Sequence, residues 1–143
     1  MIEAADCYAN GKYVDKNETE AVAWILKAVA AEDPEAMRLL GVYFREGIGL
    51  EVNYREAIFW LLKAIGGGSI AAKSDLGYCY QYGYGVKADF QEAIKWYFEA
   101  LNAGDASAMR RYAYCLENGL GVEKNAEMAA YWLEKAEEAE NGK

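Results

Sequence analysis

Leu76-Gly77-Tyr78-Cys79-Tyr80-Gln81-Tyr82-Gly83-Tyr84-Gly85-Val86, with the Ala93-Ile94-Lys95-Trp96-Tyr97 that follows, decides the fold, because near copies of it return at one interval along the whole chain. Trp24, Trp60, Trp96 and Trp132 mark that interval, and Gly11, Gly47, Gly83 and Gly119 keep the same spacing of 36. A period of this length is the mark of a tandem array in which each copy is one supersecondary unit.

Each copy holds two apolar segments of helical period around a glycine turn. In the second copy Asp33 stands where a side chain can cap free backbone N–H groups, and Pro34 suits the first helical position. Ser69 and Asp105 occupy the equivalent place in the next two copies. Ala36, Leu39, Leu40, Tyr43 and Phe44 then recur at three and four, on one helical face. The pairs Gly47/Gly49, Gly83/Gly85 and Gly119/Gly121 invite a phosphate-binding reading. They end a helix instead of following a strand, and no lysine completes the loop, so left-handed helix caps account for them.

Asn17, Asn53, Asp89 and Asn125 announce the second helix, with Glu20, Glu56 and Glu92 three residues later completing a reciprocal capping box and Met128 breaking it in the last copy. Ala21, Trp24 and Ala28, and their equivalents in every copy, share a face on which small residues let helices approach and the indole fills the space between them. One helix pair cannot bury its own apolar face, so the copies must stack. The expected architecture is all-α: a single solenoid domain over 1–143 made of four units at 1–32, 33–68, 69–104 and 105–143, about eight helices in all, the first unit slightly truncated.

The chain has 143 residues, 54% of them apolar, enough for a core. With 15 basic and 23 acidic residues its formal charge is −8, which repels nucleic acid, and it contains no histidine. That removes Ser-His-Asp and Cys-His catalysis and the histidine metal motifs. No CxxC spacing suggests zinc, and the reading is of no enzyme, no metal and no cofactor. Cys7, Cys79 and Cys115 share one repeat position, the behaviour of small buried thiols in a reducing compartment. The N-terminus lacks a basic region followed by an apolar run, and no stretch is apolar enough to span a bilayer. The expectation is a cytoplasmic monomer, a periplasmic address being compatible with a signal peptide already removed.

The pattern Ala72-x-x-x-Leu76-Gly77-x-x-Tyr80-x-x-Gly83-x-Gly85-Val86-x-x-Asp89-x-x-x-Ala93-x-x-Trp96-Tyr97-x-x-Ala100 resembles the Sel-1-like repeat, a relative of the tetratricopeptide repeat, over essentially the whole chain. The departures are local: Ala113 stands for Gly41 and Gly77, Leu116 for the aromatic of Phe44 and Tyr80, and Tyr13 for the second turn glycine. The resemblance implies a right-handed superhelix of antiparallel helix pairs that works as a non-catalytic adaptor for proteins or peptides, often in bacterial envelope, secretion or signalling systems. Cysteine-rich relatives carry a disulfide in each unit and have been associated with penicillin binding or hydrolysis; their paired cysteine pattern is missing here. An inhibitor or immunity protein for one toxin or enzyme is the alternative binding role.

Residues that neither repeat nor pack inside are free to be specific. Counted from Gly41, Gly77 and Ala113, offsets −3, +1, +4 and +5 form one stripe on the first helix of each unit. The stripe holds Arg38, Val42, Arg45 and Glu46, then Ser74, Tyr78, Gln81 and Tyr82, then Arg110, Tyr114, Glu117 and Asn118; the first unit offers Ile2, Asp6, Ala9 and Asn10. Tyrosines supply contact area at low entropy cost and arginines clamp carboxylates, so the stripe suits an acidic peptide or a C-terminal carboxylate. The competing reading has the tyrosines covering neighbouring helices and the arginines pairing with nearby glutamates.

Overall fold

The structure, a computed structural model, describes residues 17–142. These contain seven helices and no strand: α1 (Glu18–Ala30), α2 (Pro34–Glu46), α3 (Tyr54–Gly66), α4 (Ile70–Tyr82), α5 (Phe90–Asn102), α6 (Ala106–Asn118) and α7 (Ala126–Asn141). They fall into two compact bodies that meet in sequence between Ser69 and Ile70. The all-α class and the two-helix repeat read from the sequence are therefore observed. The first helix of the first repeat, with Cys7, Ile2, Asp6, Ala9 and Asn10, lies outside the described residues.

In the first body α2 packs along both α1 and α3. Its core is Ala21, Val22, Ile25, Leu40 and Tyr43, all buried. In the second body α4 packs on α5 and α6 on α7, while α6 also touches α5 and α4. Tyr97, Ala100, Leu101, Met109, Tyr112, Cys115 and Leu116 are among the residues of its core. The tryptophans are only half-buried, whereas the position one residue later, Ile25, Leu61 and Tyr97, is fully closed to solvent. The indole thus seals the helix pair from outside, and its neighbour is the packing residue.

Helix starts follow the capping logic. Asp33 accepts from the Glu35 N–H at 2.9 Å and Asp105 from the Ala108 N–H at 2.9 Å. Asn17, Asn53, Asp89 and Asn125 accept from the N–H three residues on, at 3.0 to 3.1 Å. The reciprocal half of the expected box is not made at Asn53 and Asp89. Their own N–H groups donate to Phe44 O at 2.9 Å and Tyr80 O at 2.8 Å, across the glycine turn, and Asn125 donates likewise to Leu116 O. Glu56 is released to accept from Trp60 Nε1 at 3.1 Å and Glu92 to hold Lys95 at 3.2 Å. Met128 therefore forfeits nothing at the start of α7.

The first turn glycines are left-handed caps, with φ of 71° at Gly47, 71° at Gly83 and 66° at Gly119. The second glycines answer to a further constraint, close approach to the preceding repeat. A Cβ on Gly49 would lie 2.5 Å from Glu18 O, and one on Gly121 would lie 2.9 Å from Phe90 O. The Gly49 N–H does bind an anion, the Glu18 carboxylate at 2.9 Å, but that anion belongs to the chain.

Candidate interaction site

Tyr97 organises the second body. Its ring lies against Gly77, where a Cβ would come within 2.7 Å of it, and this close approach brings α4 down onto α5. Its hydroxyl donates to Gln81 Oε1 at 2.6 Å, inside the core, and the Cys115 thiol reaches the same oxygen at 3.8 Å. Gln81 is thereby a buried acceptor joining α4, α5 and α6. Burial pushes the Cys115 thiol up to about 11 and raises the Tyr97 phenol well above its ordinary value. Tyr82 and Tyr112 are raised too, again first by burial.

The sign of the pH effect follows. The unfolded chain ionises these phenols near the ordinary value of about 10 and the folded chain only above it, so their contribution is intact below that pH and is lost as pH rises past it. Urea midpoints should hold steady from pH 7 to about 8.5, begin to fall as the unfolded Cys115 thiol ionises, and fall more steeply above about 10, that last part being shallower in Tyr97→Phe. An identical fall in that variant would assign the effect to other groups.

Above this core, α4 and α6 border a recess of about 180 Å³ lined by Tyr78, Gln81, Tyr82, Arg110, Arg111 and Tyr114. Tyr82 and Tyr114 are 47% and 48% exposed. Tyr78 packs on Tyr82 with centroids 4.8 Å apart, and Tyr84 from the glycine turn stacks on Tyr82 at 5.8 Å and 22°. The Arg111 guanidinium lies 4.7 Å from the centroid of the Tyr78 ring. Arg111 Nη1 donates to Ser74 Oγ at 2.9 Å and Asp75 Oδ1 at 3.1 Å, which fixes the guanidinium plane from below. Arg110, on the rim, pairs with Glu140 of α7.

Of the residues expected on the binding stripe, Tyr78, Gln81, Tyr82, Arg110 and Tyr114 come together here. Gln81 reaches the recess as a floor tied into the core, 5% exposed. Ser74 is buried and reaches no outside partner; it positions Arg111. Glu117 is exposed on α6 and does not line the recess. Arg38, Val42 and Arg45 belong to α2 in the first body, where Arg38 binds Glu35 and buried Arg45 binds Glu46. The arginine missed by the stripe is Arg111. It shares a repeat position with Asp75, and opposite charges at one register of adjacent repeats were the available signal.

Tandem two-helix repeats packed in series define a class, the helical repeat scaffold. The chain belongs to the Sel1 repeat family, whose description matches it four times, at residues 1–33, 34–69, 70–105 and 106–141. A Sel1 repeat protein from Oxalobacter formigenes is 33% identical over 99% of this chain and 55% of its own, with a TM-score of 0.84. The protective antigen c5321 of uropathogenic Escherichia coli, which displays the same repeat fold, is 32% identical over 95% of this chain and 29% of its own, with a TM-score of 0.75. Cysteine rich protein B of Helicobacter pylori shares the fold at 24% identity and a TM-score of 0.62, over 87% of this chain and 89% of its own. This chain thus spans about half, or less, of the length of the first two. No curated protein is a significant match. Sel1 repeat proteins are in general non-catalytic scaffolds for protein interaction. No helix among the described residues is long and apolar enough to cross a membrane.

Proposed function

We propose that this chain is a protein-interaction module that holds a peptide segment of a partner protein in the recess between α4 and α6, an apolar side chain resting on the tyrosines and a carboxylate facing the arginines. One observation carries the reading: exposed Tyr82 and Tyr114 stand beside Arg110 and a fixed Arg111 around one concavity. Rigid aromatic area and oriented guanidinium groups are what peptide recognition uses most economically, because little side-chain freedom is left to lose on binding. Two arginines flank this one concavity, each paired within the chain, Arg110 with Glu140 and Arg111 with Asp75, so an anionic group of the partner competes with those carboxylates for them.

Selection of a random displayed peptide library on the immobilised chain tests this. The enriched peptides should place a carboxylate next to an aromatic or aliphatic residue. Tyr78→Ala with Tyr114→Ala should weaken them by more than about 2 kcal/mol while leaving the helical circular dichroism signal unchanged. Peptides that bind the double variant as tightly as the parent would place the site elsewhere.

A further inference from the structure

The recess is electrically balanced at rest. Arg111 is matched by Asp75 and Arg110 by Glu140, so an incoming carboxylate meets no net positive charge while both pairs are closed. The two pairs differ in how firmly they are held. Asp75 is almost wholly buried, 7% exposed at its side chain, and with Ser74 it grips Arg111 through Nη1 alone. The Nε and Nη2 edge of Arg111 then has no hydrogen-bond acceptor among the described residues. Arg110 and Glu140, by contrast, are each about half exposed, 46% and 49%. Pairs of that kind contribute little to stability. Glu140 also sits in the last turn of α7, at the negative end of the helix dipole, so the ion pair with Arg110, and no attraction to the helix end, holds its carboxylate at the recess.

Resting on the peptide-binding reading above, we infer that Glu140 is a built-in placeholder for the ligand: binding exchanges the Glu140 carboxylate on Arg110 for a carboxylate of the incoming peptide, which then spans Arg110 and the open edge of Arg111. Asp75 and Ser74 are positioning residues for Arg111 and stay in place. The exchange sets a threshold, since a neutral segment cannot open the Arg110–Glu140 pair and gains only the tyrosine contacts. The carboxylate belongs either to an acidic side chain or to a chain terminus, two sources with one chemistry.

Three acetylated tripeptides distinguish them: glycine-phenylalanine-glutamate with an amidated end, the glutamine analogue with an amidated end, and the glutamine analogue with a free end. Each is titrated into the full chain while proton–nitrogen spectra follow the arginine Nε–H signals and the tyrosine ring signals. One or both carboxylate probes should move the Arg110 and Arg111 signals, with the neutral probe at least about ten-fold weaker. Glu140→Gln should tighten the carboxylate probe by about two- to five-fold, the range expected for removing an exposed competing pair. In an Arg110→Gln background the same change should do nothing. If tyrosine signals move but Glu140→Gln leaves affinity unchanged or weaker, the placeholder is wrong and the recess still binds peptide. If no probe moves either set, the peptide-binding reading falls with it.

Discussion

Tyr97→Ala should destabilise the chain by roughly 3–5 kcal/mol, read as a drop in urea midpoint, making it the costliest single truncation in the second body. The ring is fully buried and lies so close to Gly77 that a Cβ there would come within 2.7 Å of it. Its hydroxyl is the donor that satisfies Gln81 Oε1 at 2.6 Å, so truncation adds the penalty of a stranded buried amide. Tyr97→Phe separates these contributions: the ring stays, the Cys115 thiol remains as a weak donor, and the cost should be about 1–3 kcal/mol. Trp96→Ala, one residue earlier and half-buried, should cost less than Tyr97→Ala despite the larger side chain. The reverse order would mean that the indole, and not the phenol, carries the inter-helix packing.

That comparison shows where the sequence could be read and where it could not. The spacing of Trp24, Trp60, Trp96 and Trp132 locates the repeat, because any residue that recurs at 36 must do the same job in each copy. It does not say which of two adjacent recurring positions points inward, and Ile25, Leu61, Tyr97 and Leu133 vary enough in shape to hide among the noise. Leu133 makes the point: in the last repeat that position is 36% exposed, with no later repeat among the described residues to cover it. The capping box misled for a similar reason. Glu56 and Glu92 have the right spacing, but the turn delivers the Phe44 and Tyr80 carbonyls to the cap N–H groups first, a contact that only the folded turn creates. At the recess, Tyr78, Tyr82 and Tyr114 were legible because their registers are not held through the array: Tyr78 and Tyr114 share one that Val42 fills in the second copy, and Tyr82 has Glu46 and Asn118 as its equivalents. Arg111 was passed over because Leu39, at its register in the second copy, lies on the apolar face of its helix, although Glu3 and Asp75 at the same register are charged. It is interior on one side, bonded to Ser74 and Asp75, and open on the other; a periodicity argument assigns a residue to one face only.

The glycine pairs separate cap from close approach, and two substitutions measure the difference. Gly119→Ala should cost about 1–2 kcal/mol, the strain of an L-residue at a φ of 66°, since the nearest atom to its new Cβ is Lys124 Cβ at 3.5 Å, an ordinary van der Waals contact. Gly121→Ala bears the same strain at a φ of 72° and then drives a methyl group to within 2.8 Å of Phe90 Cβ and 2.9 Å of Phe90 O. Backbone at the first residue of α5 cannot yield as a side-chain tip can, so the fourth repeat must lift from the third or the start of α5 must unwind. The expected cost is about 2–5 kcal/mol, strain and overpacking together. The two variants should therefore differ in thermal midpoint by several degrees, with Gly121→Ala the lower. Equal midpoints would mean that the turn can shift freely over α5, and that the second glycine is kept for its own φ alone. A larger gap than expected would show that seating of this turn on the preceding helix is what holds the α6–α7 pair in register, and with it the placement of Arg111 over Tyr78.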